Sequence, residues 1–189
     1  ELAEKENSDV VVSGYKLINN HLKVIKEQLW IESDDFIAQQ LGECDSSHYS
    51  SYLFKKTFIA DIPHRPDYAL RDDRLFVLET AIKNPKVGVH RGYGLLHRVH
   101  ESNRLQFPSN KILQNLQHLN LYKKILLKLS DEGQLTERRK KASINVLWEL
   151  AQWMAIDSVA EANELRNWII ELDPNFVIPK NGFKGKLYN

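Results

Sequence analysis

Asp9-Val10-Val11-Val12-Ser13-Gly14-Tyr15 is a β-branched run ended by glycine. That is the pattern of a strand buried on both faces. Residues 15 to 18 can continue it. Asn19-Asn20-His21 reads as a turn, and Leu22 to Trp30 as a returning second strand. Ser33 can cap a short helix over Asp34 to Leu41. A Ser-rich polar loop follows over residues 42 to 51, holding Cys44, Asp45, His48 and Tyr49. Such a loop is a surface connection or part of a substrate mouth. Tyr52-Leu53-Phe54-Lys55-Lys56 reads as a strand leading to a short helix over Thr57 to Ala60. Pro63 and Pro66 then hold an extended segment.

From Arg71 the apolar spacing predicts a helix through Leu75, Phe76, Leu78, Ala81 and Ile82, stopped by Asn84-Pro85. Lys86 to His90 gives a short strand and Leu95 to His100 a further one. Gly92 and Gly94 between them mark a bend or a close backbone approach. After Pro108 the pattern turns helical. The spacing predicts helices over Ser109 to Leu129, Glu137 to Ile156 and Val159 to Leu172. Asp157 or Ser158 caps the third, and Asp173-Pro174 stops it. The Pro/Gly/Lys-rich tail reads as irregular. The expectation is α/β, with a mixed sheet over residues 1–108 and a helical extension of about three helices over 109–189. No internal repeat or low-complexity segment is present.

Composition narrows the function classes. The chain has 189 residues, 42% of them hydrophobic, enough to bury a core. With 26 basic and 25 acidic residues the formal charge is +1, so no basic field supports nucleic-acid binding. The single cysteine, Cys44, excludes an internal disulfide framework and a cysteine-based zinc site. It fits a reducing, cytoplasmic compartment. No apolar run approaches the ~18 residues of a membrane span. No signal-peptide pattern is seen, and Glu1 to Asn7 reads as the tail of a surface helix.

Asp72-Asp73 heads the predicted helix, and His97-Arg98-Val99-His100 follows the Gly-rich bend, with Asn103 after it. Carboxylate plus imidazole can make a base and a metal ligand. Asp72-Asp73 can equally be a helix cap. Alternation along a strand puts Arg98 and His100 on one face, and His97 with Val99 on the other. Lys55-Lys56 reads as a solvated pair. Cys44 and His48 in one loop fix no nucleophilic geometry. The basic run Glu137-Arg138-Arg139-Lys140-Lys141 reads as a solvated helix face. Trp148, Trp153 and Trp168 read as core, with a membrane-resting surface as the alternative.

Residues 1 to about 105 resemble the C-terminal, acceptor-side half of a family-two glycosyltransferase catalytic domain. The resemblance lies in an ordered succession: the strand Val10 to Tyr15, the segment Leu53-Phe54-Lys55-Lys56-Thr57-Phe58, the pair Asp72-Asp73, and His97-Arg98-Val99-His100. It implies a partial Rossmann-like sheet of the nucleotide-diphospho-sugar transferase type. It implies sugar transfer from a nucleotide-sugar donor to a saccharide or lipid-linked acceptor, as in bacterial polysaccharide biosynthesis. Asp73 would be the base, with Asp72 beside it where the family more usually has Glu. Arg98 would meet the diphosphate and His100 the metal, Mg or Mn. Tyr52, Tyr93 and His97 would line the substrate. Trp30 and Tyr49, with the two tyrosines, can stack on sugar rings or serve as ordinary core aromatics. The family's opening strand, uridine-binding acidic residue and Asp-x-Asp motif are absent from this chain. The expectation is therefore a fragment, inactive alone, whose apolar strand edges favour a homodimer. Peripheral membrane contact is expected if the acceptor is lipid-linked. The rival expectation is a non-catalytic interaction module that offers a helical face to a partner.

Overall fold

The computed structural model describes residues 1–99 and 111–179. In chain order it contains α1 (Leu2–Glu6), β1 (Val10–Ile18), β2 (Val24–Gln28), α2 (Phe36–Ala38), β3 (Tyr52–Phe54), α3 (Asp72–Ala81), β4 (Val87–Arg98), α4 (Lys111–Asp131), α5 (Glu137–Asp157) and α6 (Val159–Leu172). Among the described residues this is a mixed α/β architecture with one four-stranded mixed sheet and six helices.

The valine run is the centre of the sheet. Val10 and Val12 are buried, as a strand with neighbours on both sides requires. β4 runs parallel to β1 from Val10↔Val87 to Ile18↔Arg98. The other side of β1 is shared by two antiparallel strands: β3 pairs with its first half and β2 with its second. β2 is an edge strand, and Val24 and Ile25 on it are exposed.

The expected two strands around Gly92 and Gly94 are one continuous strand, β4. Its register jumps from Ser13↔His90 to Gly14↔Tyr93 and then to Tyr15↔Leu95. The unmatched residues Arg91, Gly92 and Gly94 therefore bulge out, and the sheet bends without breaking. Gly14, opposite the bulge, has no room for a side chain: a Cβ there would stand 2.5 Å from the Gln28 carbonyl oxygen and 3.0 Å from that of Gly92.

Two other local expectations are corrected. Asp35, not Ser33, caps α2, accepting the Ala38 N–H at 2.8 Å. Ser33 Oγ instead accepts the Asp35 N–H at 3.2 Å. The helix then widens into a π-turn over Gln39–Glu43, which ends through Gly42 at φ 115°. Residues 57–60 form turns, not a helix.

α3 is buried nearly all round, which explains why its apolar residues form no single stripe. Phe76 meets Phe54 edge-on at 5.2 Å between ring centroids, on the sheet side. Leu75 and Leu78 join a cluster that also contains Ile37, Leu41, Tyr122, Ile125, Leu147, Leu165 and Ile169. One hydrophobic core thus runs from α2 and α3 into α4, α5 and α6. Of the two residues expected to cap α6, Ser158 does so, accepting the Glu161 N–H at 3.4 Å, and Thr136, which the sequence reading did not single out, caps α5 by accepting the Arg139 N–H at 3.3 Å. The Arg139 guanidinium binds both carboxylate oxygens of Asp35, at 3.2 and 2.9 Å, and joins α5 to the cap of α2. The basic run at the start of α5 is largely neutralised, because Arg138 pairs with Asp34 and Glu43 and Lys140 with Glu137.

Candidate functional site

The start of α3 divides the adjacent carboxylates between two tasks. Neighbours on a helix point about 100° apart. Asp72 turns toward the proline segment: its Oδ1 accepts the Arg65 N–H at 2.6 Å, and its Oδ2 meets His64 Nδ1 in a short contact. His64 in turn stacks on Phe76 at 4.8 Å and 8°. Asp72 is thereby spent on holding the segment 63–66 against α3. Asp73 is exposed and lines a cavity of ≈ 300 Å³.

That cavity is assembled from four separate parts of the chain. Ser46, Ser47 and Tyr49 come from the Ser-rich loop, and Tyr52 from the first position of β3. Arg71, Asp73, Arg74 and Val77 come from the α3 region, and His118 from α4. The loop is tied to the central strand by Ser47 Oγ donating to the Ser13 carbonyl at 2.6 Å. Gln117, next to His118, accepts the Leu70 N–H and donates to the Asp67 carbonyl, both at 3.0 Å. α4 therefore clamps the turn that precedes the site.

The electrostatics are unusual for so small a space. Arg74 donates to the Gln40 side-chain and main-chain oxygens and to Ser46 Oγ, all neutral acceptors. The Arg71 Nε is buried without a hydrogen-bond partner. Burial lowers the Arg71 pKa, with Asp73 acting in the opposite sense. Burial, helped by Arg71 and Arg74, pushes His118 from 6.5 down to about 3, so its ring is neutral. Tyr49 and Tyr52 are both raised, chiefly by burial. For Tyr49 the charges of Asp72 and Asp73 add to the effect, and both phenols stay protonated. The Tyr52 hydroxyl lies 3.2 Å from Gln40 Oε1, and Trp30 meets its ring edge-on at 6.0 Å.

The other candidate residues are placed as follows. His97 meets His48 at 4.5 Å between ring centroids with the rings tilted by 38°, and His48 precedes Tyr49 in the loop. His97 therefore approaches the loop without lining the cavity. Arg98 is exposed, next along β4 from His97 and so on its opposite face. Tyr93 lies elsewhere on the sheet, where its hydroxyl donates to Glu27 Oε2 at 2.9 Å and Lys16 Nζ sits 4.2 Å over its ring. His100 and Asn103 lie outside the described residues. Burial pushes the Cys44 thiol up, away from nucleophilic thiolate. Among the described residues no group of three His, Cys, Asp or Glu is placed to hold a metal ion. Among them, too, no helix is long and apolar enough to cross a membrane.

Sequence reasoning missed Arg71, Arg74, Gln117 and His118. A signal existed for three of them: Arg71 and Arg74 are three apart and flank Asp73 on the helix. His118 shares the stripe of Tyr122, Ile125 and Leu129 on α4, where a polar ring among apolar positions marks a special contact. Against protein-family models, curated proteins and solved structures alike, the chain finds no match.

Proposed function

We propose that this chain is the acceptor-side part of an inverting glycosyltransferase of family-two type, with Asp73 as the base. The observation that carries the proposal is the division of labour at α3. Asp72 is consumed by Arg65 and His64, while Asp73 stands exposed in a cavity walled by Tyr49, Tyr52 and two guanidinium groups. That is what an acceptor hydroxyl requires: an ionisable carboxylate in reach, aromatic faces for the sugar ring and polar groups for its hydroxyls. The sheet, with β1 central and parallel to β4, is compatible with half of a Rossmann-like nucleotide-diphospho-sugar transferase fold.

In this proposal the acceptor oxygen attacks the anomeric carbon of the donor sugar. Asp73 takes the hydroxyl proton, and the bond from that carbon to the diphosphate oxygen breaks, its electron pair leaving with the nucleoside diphosphate. Arg98, with His100, is the diphosphate-side candidate by resemblance alone. The described residues do not by themselves make up a cation site, so no step here runs through Mg or Mn. The proposed setting is cytoplasmic, with membrane contact if the acceptor is lipid-linked.

The test is nucleoside diphosphate release and sugar transfer by the full-length protein. Asp73→Asn should abolish transfer and leave donor binding intact; surviving turnover sinks the assignment. The second reading is a non-catalytic interaction module. It is favoured by Trp153, Ile156 and Val159, which are 56%, 68% and 66% exposed around the α5–α6 junction. A full-length protein with no transfer activity that loses a partner on Trp153→Ala would support that reading.

A further inference from the structure

The cavity beside Asp73 carries more cation than its neighbours satisfy. Arg65, Arg91, Arg138 and Arg139 each form an ion pair, whereas Arg71 and Arg74 form none with a described residue. Arg74 is held by neutral oxygens, and the Arg71 Nε is buried with nothing to donate to. A buried cation with an idle donor costs free energy unless something pairs it. His118 cannot add positive charge, because its ring stays neutral at physiological pH.

We propose that the cavity binds a carboxylate-bearing sugar, of the uronic acid class, as the acceptor, with its carboxylate against Arg71 and Arg74 and its hydroxyl toward Asp73. The guanidinium fork matches a planar carboxylate with two parallel hydrogen bonds. The cavity of ≈ 300 Å³ has room for one sugar ring, with Tyr49 and Tyr52 as apolar walls. Ser46, Ser47 and the neutral His118 ring offer partners for ring hydroxyls. A diphosphate suits this cavity less well, since its charge would lie close to the Asp73 carboxylate. Placing the anion on the acceptor, not the donor, rests on the proposed role of Asp73 as base.

The direct test is titration of the full chain with methyl glucuronide, with neutral methyl glucoside and with uridine diphosphate, followed by calorimetry or ligand-observed NMR. The glucuronide should bind at least about tenfold more tightly than the glucoside. Arg71→Gln and Arg74→Gln should each remove about tenfold of that affinity. Asp73→Asn should tighten glucuronide binding about threefold, because it removes a repelling charge. This last variant creates no void, so it carries the test even if Arg71→Gln does not fold. Equal affinity for glucuronide and glucoside, or no gain on Asp73→Asn, overturns the proposal. Displacement of bound glucuronide by uridine diphosphate also overturns it, because the arginines would then serve the donor. The two proposals fail separately. Transfer that depends on Asp73 without a glucuronide preference sinks only the anionic acceptor. A glucuronide preference with transfer indifferent to Asp73→Asn sinks only the base.

Discussion

Asp72 Oδ1 accepts the backbone N–H of Arg65 at 2.6 Å, and this bond turns one of two adjacent carboxylates away from the cavity that the other lines. Asp72 is structural glue for the segment 63–66, and Asp73 is left accessible. The two should therefore separate cleanly on substitution. Asp72→Ala should cost roughly 1–2 kcal/mol of stability, from the lost hydrogen bonds and the lost negative charge at a helix start. Asp73→Asn should cost less, because the amide oxygen can still accept the Arg74 N–H, now bonded at 2.7 Å, and only the charge at the helix start is lost. Chemical denaturation of both variants checks this, and equal losses would contradict it.

His118 makes stability depend on pH. Its pKa drops from 6.5 in the unfolded chain to about 3 in the fold. Between these values the unfolded chain binds more protons, so stability is full above 6.5 and is lost as pH falls toward 3. Allowing for partial solvent contact, roughly 1–2 kcal/mol should disappear between pH 7 and pH 5. Carboxylates lowered by ion pairs, such as Glu43 and Asp34, lose their contribution only at lower pH. Melting curves of His118→Gln at the two pH values should show that difference shrink; an undiminished difference would rule His118 out as its source.

The Arg139–Asp35 pair joins helices that are distant in sequence. Both side chains are largely buried, at 15% and 14% exposure, and Arg139 also donates to the Gln134 carbonyl at 2.8 Å. Arg139→Ala should cost about 2–4 kcal/mol, because it leaves a buried carboxylate without its cation. Arg139→Lys keeps the charge but not the fork, and should fall between. Urea denaturation of the three proteins gives the order.

Gly14→Ala should be severe for a residue so small. The added methyl would stand 2.5 Å from the Gln28 carbonyl oxygen and 2.9 Å from the Leu29 Cα, and both contacts are backbone. Relief requires the end of β2 to move away from β1, at more than about 2 kcal/mol. Hydrogen exchange should show β2 amides losing protection before those of β4.

Local chemistry was legible in the residues themselves. The valine run declared a central strand, because β-branched side chains without polar alternation suit a strand buried on both faces. Ser158 and the Asp173-Pro174 stop bounded α6 correctly, since caps and breakers act within one turn. The pair Asp72-Asp73 was visible at the head of a predicted helix, and the pair does open α3. By contrast, the cap of α2 fell on Asp35 and not on Ser33, because several polar residues precede the helix and Asp35, which Arg139 of α5 also binds, stands directly before its first residue. The bend at Gly92 and Gly94 was visible, but not that pairing with β1 carries one strand through it.

What the sequence by itself determined is the central strand β1, the helices α3 to α6 in outline and the carboxylate pair, since these depend on neighbours a few residues apart. What only the tertiary structure decided is the site. Which carboxylate is drawn away from the cavity depends on a bond to Arg65, and His118 reaches the cavity only because α4 packs across the start of α3. Such contacts join residues tens of positions apart. They follow from burying one continuous hydrophobic core, and no local pattern encodes them.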